Sequence, residues 1–356
     1  MNLGKGLNLG GWLSQTPEGE EHRKTFITRD DFKRIADWGF DNVRIPFDYP
    51  LLCPTPNDRI PCEAGFVWID RGLEWAEQCG LKAVLDMHQL PGFSFYDPTA
   101  RPGEIPPFFT SESKQSHFYE LWAAVSKRYL GRFPDTVFEL ANEIVAPTAQ
   151  QWNRLAAKAV AAIRGVDRER YIVVGSNMWN TCWTYPELAV MPDTKIIYNF
   201  HFYDPFTFTH QKASWSPQMV YYNQTVHYPG SAPGLREAAE RAGREGKTAI
   251  ADALRGLADA LGDRVSDKQH LRELMQWPFD FAAQHKVPLY CGEFGVHDPA
   301  PREDSVRWMK DTVDIFAENN IAWSYWSYKE MGFGIVDRDG KVQKPETLEV
   351  MRGIKN

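Results

Sequence analysis

The chain has no apolar run approaching the roughly 20 residues that a membrane-spanning helix requires, so no such helix is expected. It also lacks HExxH and CxxC, the common spacings of zinc ligands. GxGxxG is absent, and with it the phosphate turn that opens a dinucleotide-binding doubly wound sheet. Positive charge is in deficit: the formal net charge is -7, which argues against nucleic acid or an anionic membrane surface as a partner. Cysteine is scarce and odd in number, five in all, so complete intramolecular pairing is excluded. Cys53 and Cys62 share a Pro-rich loop and have the spacing for one small bridge. The apolar-Gly stretch at 6–12 leaves no room for an export signal ahead of it, so two free thiols are the expected state. The expected compartment is the cytoplasm, or the outside of the cell if a leader has been removed.

What is present is an alternation. Short β-branched runs at 6–12, 42–47, 82–88, 137–143, 171–177, 195–203, 288–294 and 322–328 read as strands. Helical periodicity lies between them at 28–38, 66–79, 113–130, 148–164, 186–191, 267–285 and 302–319, with a last helix after Pro345. Thr28 and Ser111 each stand before an acidic first turn, as helix caps do. Eight strands with intervening helices make the count of a closed (β/α)8 TIM barrel, expected here as one catalytic domain over 1–356. One connection breaks the rhythm. Residues 204–266 run to roughly sixty where two to six are usual. They open with aromatics and turn helical at 235–245 and 249–261, which reads as a small helical subdomain inserted after strand six, over the active-site face.

In such a barrel the strand C-termini face the active site. The residues expected there are Arg44, Asp86 and His88, Asn142 and Glu143, His201 and Tyr203, Glu293, and Trp326. Glutamates on strands four and seven suit glycoside hydrolysis, which needs a proton donor and a second carboxylate flanking the scissile bond. Arg44 and Tyr203 favour the anionic form of one of them. Asn142 is placed to donate to a sugar hydroxyl, and Trp326 offers a flat face to a pyranose. Bland readings stand beside these: His88 as a core histidine, Trp326 as packing, Arg44 as an internal ion pair with Glu139 or Asp86. Glu139 shares Glu143's parity but lies about 13 Å deeper at the ordinary strand rise, so it reads as a buried partner of Arg44.

This set, Arg44 in "NVRIPF", His88 in "VLDMH", Asn142 and Glu143 in "ELANE", His201 and Tyr203 in "NFHFYDP", Glu293 in "YCGEFG" and Trp326 in "SYWSYKEM", resembles that of glycoside hydrolase family five, in the large clan of retaining (β/α)8 glycosidases. "LNLGGWLSQ", "FHFYDPFTFTHQKASWS" and "YNQTVHYPG" narrow the resemblance to single-domain cellulases of that family, which carry an insertion after strand six. The resemblance implies cleavage of internal β-1,4-glucosidic bonds with retention. Glu143 would be the general acid/base and Glu293 the nucleophile, with Arg44, His88, Asn142, His201, Tyr203 and Trp326 binding substrate. Gln89, after His88, stands where the family often has a second histidine.

The expected partner is a β-glucan polysaccharide or oligosaccharide, bound by a monomer without metal or organic cofactor. Trp179, Trp183 and Trp215 are candidates for more distant subsites, or else pack the insertion onto the barrel. Rival readings are an exo-acting β-glucosidase or β-mannosidase, an endo-acting enzyme on mannan or glucomannan, a metal-dependent barrel hydrolase, and a catalytically silent sugar-binding protein.

Overall fold

The computed structural model describes residues 1–16, 19–55, 58–96, 103–262 and 264–353. Eight strands, β1 (Lys5–Asn8), β2 (Asn42–Asp48), β3 (Lys82–Gln89), β4 (Thr136–Glu139), β5 (Ile172–Gly175), β6 (Ile196–Phe202), β7 (Leu289–Phe294) and β8 (Ala322–Tyr325), close in sequence order into a barrel. Every neighbouring pair is parallel. Burial on both faces accounts for the Val, Ile, Leu and Phe residues that most of these strands carry.

The period of two sorts the strand residues. Outward side chains such as Val43, Ile45, Leu85, Phe138 and Phe200 join the helices in one large apolar cluster. Inward side chains change character along the barrel axis. At the N-terminal end Leu3, Val84, Val137, Val173, Ile197, Tyr290 and Ala322 form a separate apolar plug. Above it lies a polar layer in which Ser324 donates to Asn42 at 2.6 Å and Tyr290 to Ser324 at 2.7 Å. Asn8, Arg44, Asp86, Glu139 and Asn199 come next, all fully buried. The chemistry sits on a filled, rigid floor.

The helices over Arg29–Asp37, Glu63–Gln78, Glu112–Tyr129, Ala149–Arg164, Arg302–Glu318 and Pro345–Gly353 lie where periodicity placed them. The Thr28 cap forms, with its backbone N–H donating to Asp31 at 2.9 Å. The helix expected at 267–285 is two, Lys268–Leu274 and Gln276–His285, parted at Met275. Pro278 explains the break, because its ring has no N–H and crowds the carbonyl four residues back. No helix forms at 186–191. A 3-10 turn at Cys182–Glu187, with Pro186 inside it, takes its place. Between β6 and β7, Leu235–Arg244 and Thr248–Leu261 are helical, and their buried Leu235, Ala239, Leu254 and Ala258 belong to the main apolar cluster. All five cysteines are free thiols, Cys53 and Cys62 included.

Several strands, β4 and β8 among them, are shorter at their C-terminal ends than the β-branched runs suggest. β4 stops at Glu139, not 143, and β8 at Tyr325, not 328. The 13 Å offset between Glu139 and Glu143 therefore does not apply. The chain leaves the ladder at Leu140, Asn142 N–H reaches Met87 O at 3.3 Å, and Glu143 adopts a left-handed φ of 43°. A non-glycine residue in that region is held by its surroundings and is a common mark of a functional position.

Candidate active site

Arg44, from the middle of β2, is the hub. Its Nε and Nη2 donate to the two oxygens of Glu139 at 2.7 and 3.1 Å. Nη1 donates to Glu293 at 2.7 Å and to Asn8 at 3.0 Å. Nη2 also donates to Asn142 Oδ1 at 2.9 Å and lies 2.9 Å from Asp86. A fully buried guanidinium is tolerable only with such saturation. Glu139 is thus a framework partner, and Arg44 reaches Glu293 as well.

Glu293, near the end of β7, accepts a second hydrogen bond from the Tyr203 hydroxyl at 3.1 Å. Among the described residues no Lys or Arg pairs with Glu143; His201 Nδ1 lies 2.9 Å from its Oε1. The same nitrogen is 3.7 Å from Glu293. One oxygen of each glutamate and the His201 nitrogen all fall within 4.8 Å of one another. Two carboxylates that close cannot both be anionic at little cost. Burial, then the charge of Glu293, holds the Glu143 carboxyl well above its ordinary value. Burial raises Glu293 too, but Arg44 pulls it back. Of the two, Glu143 is the one whose neutral form its surroundings favour more, and Glu293 the one whose charge is supported.

Burial favours the neutral form of both His88 and His201. Burial pushes His88 down to about 4 and holds His201 well below its usual range. His88 Nδ1 lies 2.6 Å from Asp86, so Nδ1 carries the hydrogen and Nε2 has no hydrogen-bond partner among the described residues. Asn142 Nδ2 is likewise buried and unbonded. Buried polar atoms without partners are rare, and here they belong to residues tied to Arg44, Asn142 directly and His88 through Asp86. The Trp326 ring lies just past β8, 6% exposed, nearly parallel to His88 at 5.9 Å between centroids. Gly10 allows this: a Cβ there would stand 2.7 Å from the indole.

The eight residues that carry the family resemblance thus form one contiguous group. The three outlying tryptophans do not join it. Trp179 and Trp183 are 43% and 59% exposed in the segment after β5. Trp215, 39% exposed, packs edge-on against His297 at 4.7 Å. Sequence reasoning gave no role to Asn8, Asn199 or Asn180, though the inward parity of the first two was a usable signal. Asp86 appeared only as an end residue or an Arg44 partner. Among the described residues, Glu143, His201 and Glu293 are the one His/Cys/Asp/Glu group compact enough to hold a metal ion. That group is the carboxyl pair itself, so a cation there would occupy the place of a substrate.

A family model described as cellulase, glycosyl hydrolase family 5, matches residues 6–332. Endoglucanase C of Acetivibrio thermocellus is 38% identical over 347 residues, 97% of this chain and 97% of that protein. Cellodextrinase A of Ruminococcus flavefaciens is 33% identical over 319 residues, 89% of this chain and 83% of that protein. Among solved structures, endoglucanase Cel5A of Thermotoga maritima is similar with a TM-score of 0.75 at 25% identity, covering 98% of this chain and 97% of that one. The chain belongs to glycosyl hydrolase family 5, the cellulase family, and is a glycoside hydrolase.

Proposed function

We propose that this enzyme is an endo-acting β-1,4-glucanase that cleaves cellulose-type or mixed-linkage β-glucans by double displacement. The observation that carries the mechanism is the asymmetry of the carboxyl pair: Glu293 bonded to Arg44 at 2.7 Å, and Glu143 without a cation. In this reading Glu143 protonates the departing glycosidic oxygen while Glu293 attacks the anomeric carbon. Glu143 then takes a proton from the water that releases the glycosyl-enzyme. A retaining enzyme needs its carboxyls about 5–5.5 Å apart, because the nucleophile itself, with no intervening water, must reach the sugar. The approach of their oxygens to within 4.8 Å fits that requirement. Asn142 Nδ2 donates to the 2-hydroxyl, His88 Nε2 accepts from the same ring, and Trp326 lies under it.

The insertion at 204–266 walls one side of the cleft in this reading. Its His210 ring meets Tyr203 edge-on at 4.9 Å, and Trp215 borders His210 at 6.2 Å. Trp215 and Trp179 would then stack on more distant sugars, and the enzyme acts as a monomer. The endo mode draws on the likeness to endoglucanase C. The likeness to cellodextrinase A favours a second reading, trimming of short oligosaccharides. Products from cellohexaose, carboxymethylcellulose, barley β-glucan and mannan decide between them, with Glu293→Gln as control. Short oligomers with a fast fall in viscosity and initial release of the β-anomer support the first. Glucose alone with unchanged viscosity supports trimming, and initial α-anomer release overturns double displacement.

A further inference from the structure

The register between β6 and β7 slips beside the site: Phe200 faces Cys291 and His201 faces Glu293, so Gly292 faces no residue of β6. Two asparagine side chains take up the Gly292 peptide groups. Its N–H donates to Asn199 Oδ1 at 2.8 Å, and its carbonyl accepts from Asn8 Nδ2 at 2.8 Å. A Cβ at Gly292 would stand 2.8 Å from the Asn199 amide and 3.1 Å from His201 Nε2, so only glycine admits this grip.

Both asparagines are also tied to the hub. Asn8 Oδ1 accepts from Arg44 at 3.0 Å, and Asn199 Nδ2 donates to Glu139 at 2.7 Å. These bonds fix which end of the Asn199 amide is oxygen, since the Gly292 N–H requires an acceptor and the Glu139 carboxylate a donor. The Asn199 NH2 group therefore faces His201 Nε2, 3.4 Å away, and the Asn180 amide lies 3.3 Å from the same nitrogen. Nε2 faces donors and accepts, so the single hydrogen of the neutral ring sits on Nδ1 and points at Glu143.

We propose that Asn199 is a positioning residue for both glutamates, setting the backbone of Glu293 through Gly292 and the tautomer of His201 that serves Glu143, with Asn8 as the second clamp on Gly292. This deepens the proposed function and rests on Glu293 and Glu143 having the roles given there. Asn199 touches no substrate. Its removal misplaces the nucleophile and frees the imidazole to flip tautomer, which acts on the chemical step more than on binding.

The test compares Asn199→Ala with Asn42→Ala in the full chain on cellopentaose. Asn42 is an equally buried inward asparagine one layer down, bonded to the Leu3 and Trp323 carbonyls. We expect Asn199→Ala to lower kcat at least about tenfold with KM little changed, since a small misplacement of reacting groups costs on that order. The basic limb of its kcat/KM profile should move to higher pH, because Glu143 loses a donor that favours its anion. Asn42→Ala should lose melting temperature but keep its kcat. Wild-type kcat in Asn199→Ala, or a loss no larger than in Asn42→Ala, overturns the proposal provided Glu293→Gln is inactive. An active Glu293→Gln would instead overturn the underlying roles. Should Asn199→Ala not fold, 15N spectra of wild-type His201 decide: the neutral Nδ1–H tautomer is expected, and Nε2–H would refute it.

Discussion

Glu143 and Glu293 stand close enough for their oxygens to approach within 4.8 Å, yet of these two Arg44 bonds only Glu293, at 2.7 Å. One charge placed on one side of the pair is what separates an acid from a nucleophile. The separation is testable by leaving group. Glu143→Ala should lose about 10²–10⁴-fold on cellopentaose, the usual worth of a general acid. It should lose much less in the first step on 2,4-dinitrophenyl β-cellobioside, whose leaving group needs no proton. Glu293→Ala should be inactive on both. The opposite pattern would exchange the two roles.

Arg44 also holds Glu139 and lies 2.9 Å from Asp86. Arg44→Met leaves three buried carboxyls without their cation. Removing one partner of a buried ion pair costs about 3–5 kcal/mol, so the urea midpoint should fall by a matching amount. Arg44→Lys supplies one charge without the planar fork and should recover only part of it. A variant of wild-type stability would mean that the carboxyls are protonated together and need no cation.

Much of this was legible in the chain. β-branched runs marked the strands, and the polar residues ending them marked Arg44, His88, Asn142, Glu143, His201, Tyr203, Glu293 and Trp326. The rest depends on local irregularity that a period of two does not encode. Nothing in "VFELANEI" announces that the ladder ends at Glu139 or that Glu143 takes a φ of 43°. Asn8 and Asn199 look like ordinary inward strand residues until the slip at Gly292 shows which backbone groups they hold. The left-handed run Met178, Trp179 and Asn180 lies past the strand expected at 171–177, where no period marks it, although Asn180 reaches His201.

Stability should depend on pH through the same cluster. Burial pushes Asp86 and Glu139 up to about 7. A raised folded value means that the native state holds protons the unfolded chain has released. Their contribution is therefore full below about pH 4 and is lost as pH rises through 7. His88, pushed down to about 4, acts in the opposite sense, its contribution fading as pH falls from about 6.5. Urea unfolding at intervals between pH 4.5 and 7.5 should show Glu139→Gln losing less stability with rising pH than the wild type. Parallel curves would place the Glu139 proton outside this range.

Glu143, His201 and Glu293 offer a carboxylate, an imidazole and a second carboxylate within 4.8 Å, a donor set that suits zinc. Since these are the groups that would meet the sugar, a bound ion and a substrate exclude each other. Added Zn²⁺ should therefore inhibit competitively against cellopentaose, and chelation by EDTA should restore the rate in full. EDTA alone should leave the purified enzyme unchanged, because the acid and the nucleophile act through their own protons and lone pairs. Loss of activity in EDTA, recovered by one particular divalent ion, would make the cluster a working metal site and replace double displacement with metal-assisted hydrolysis.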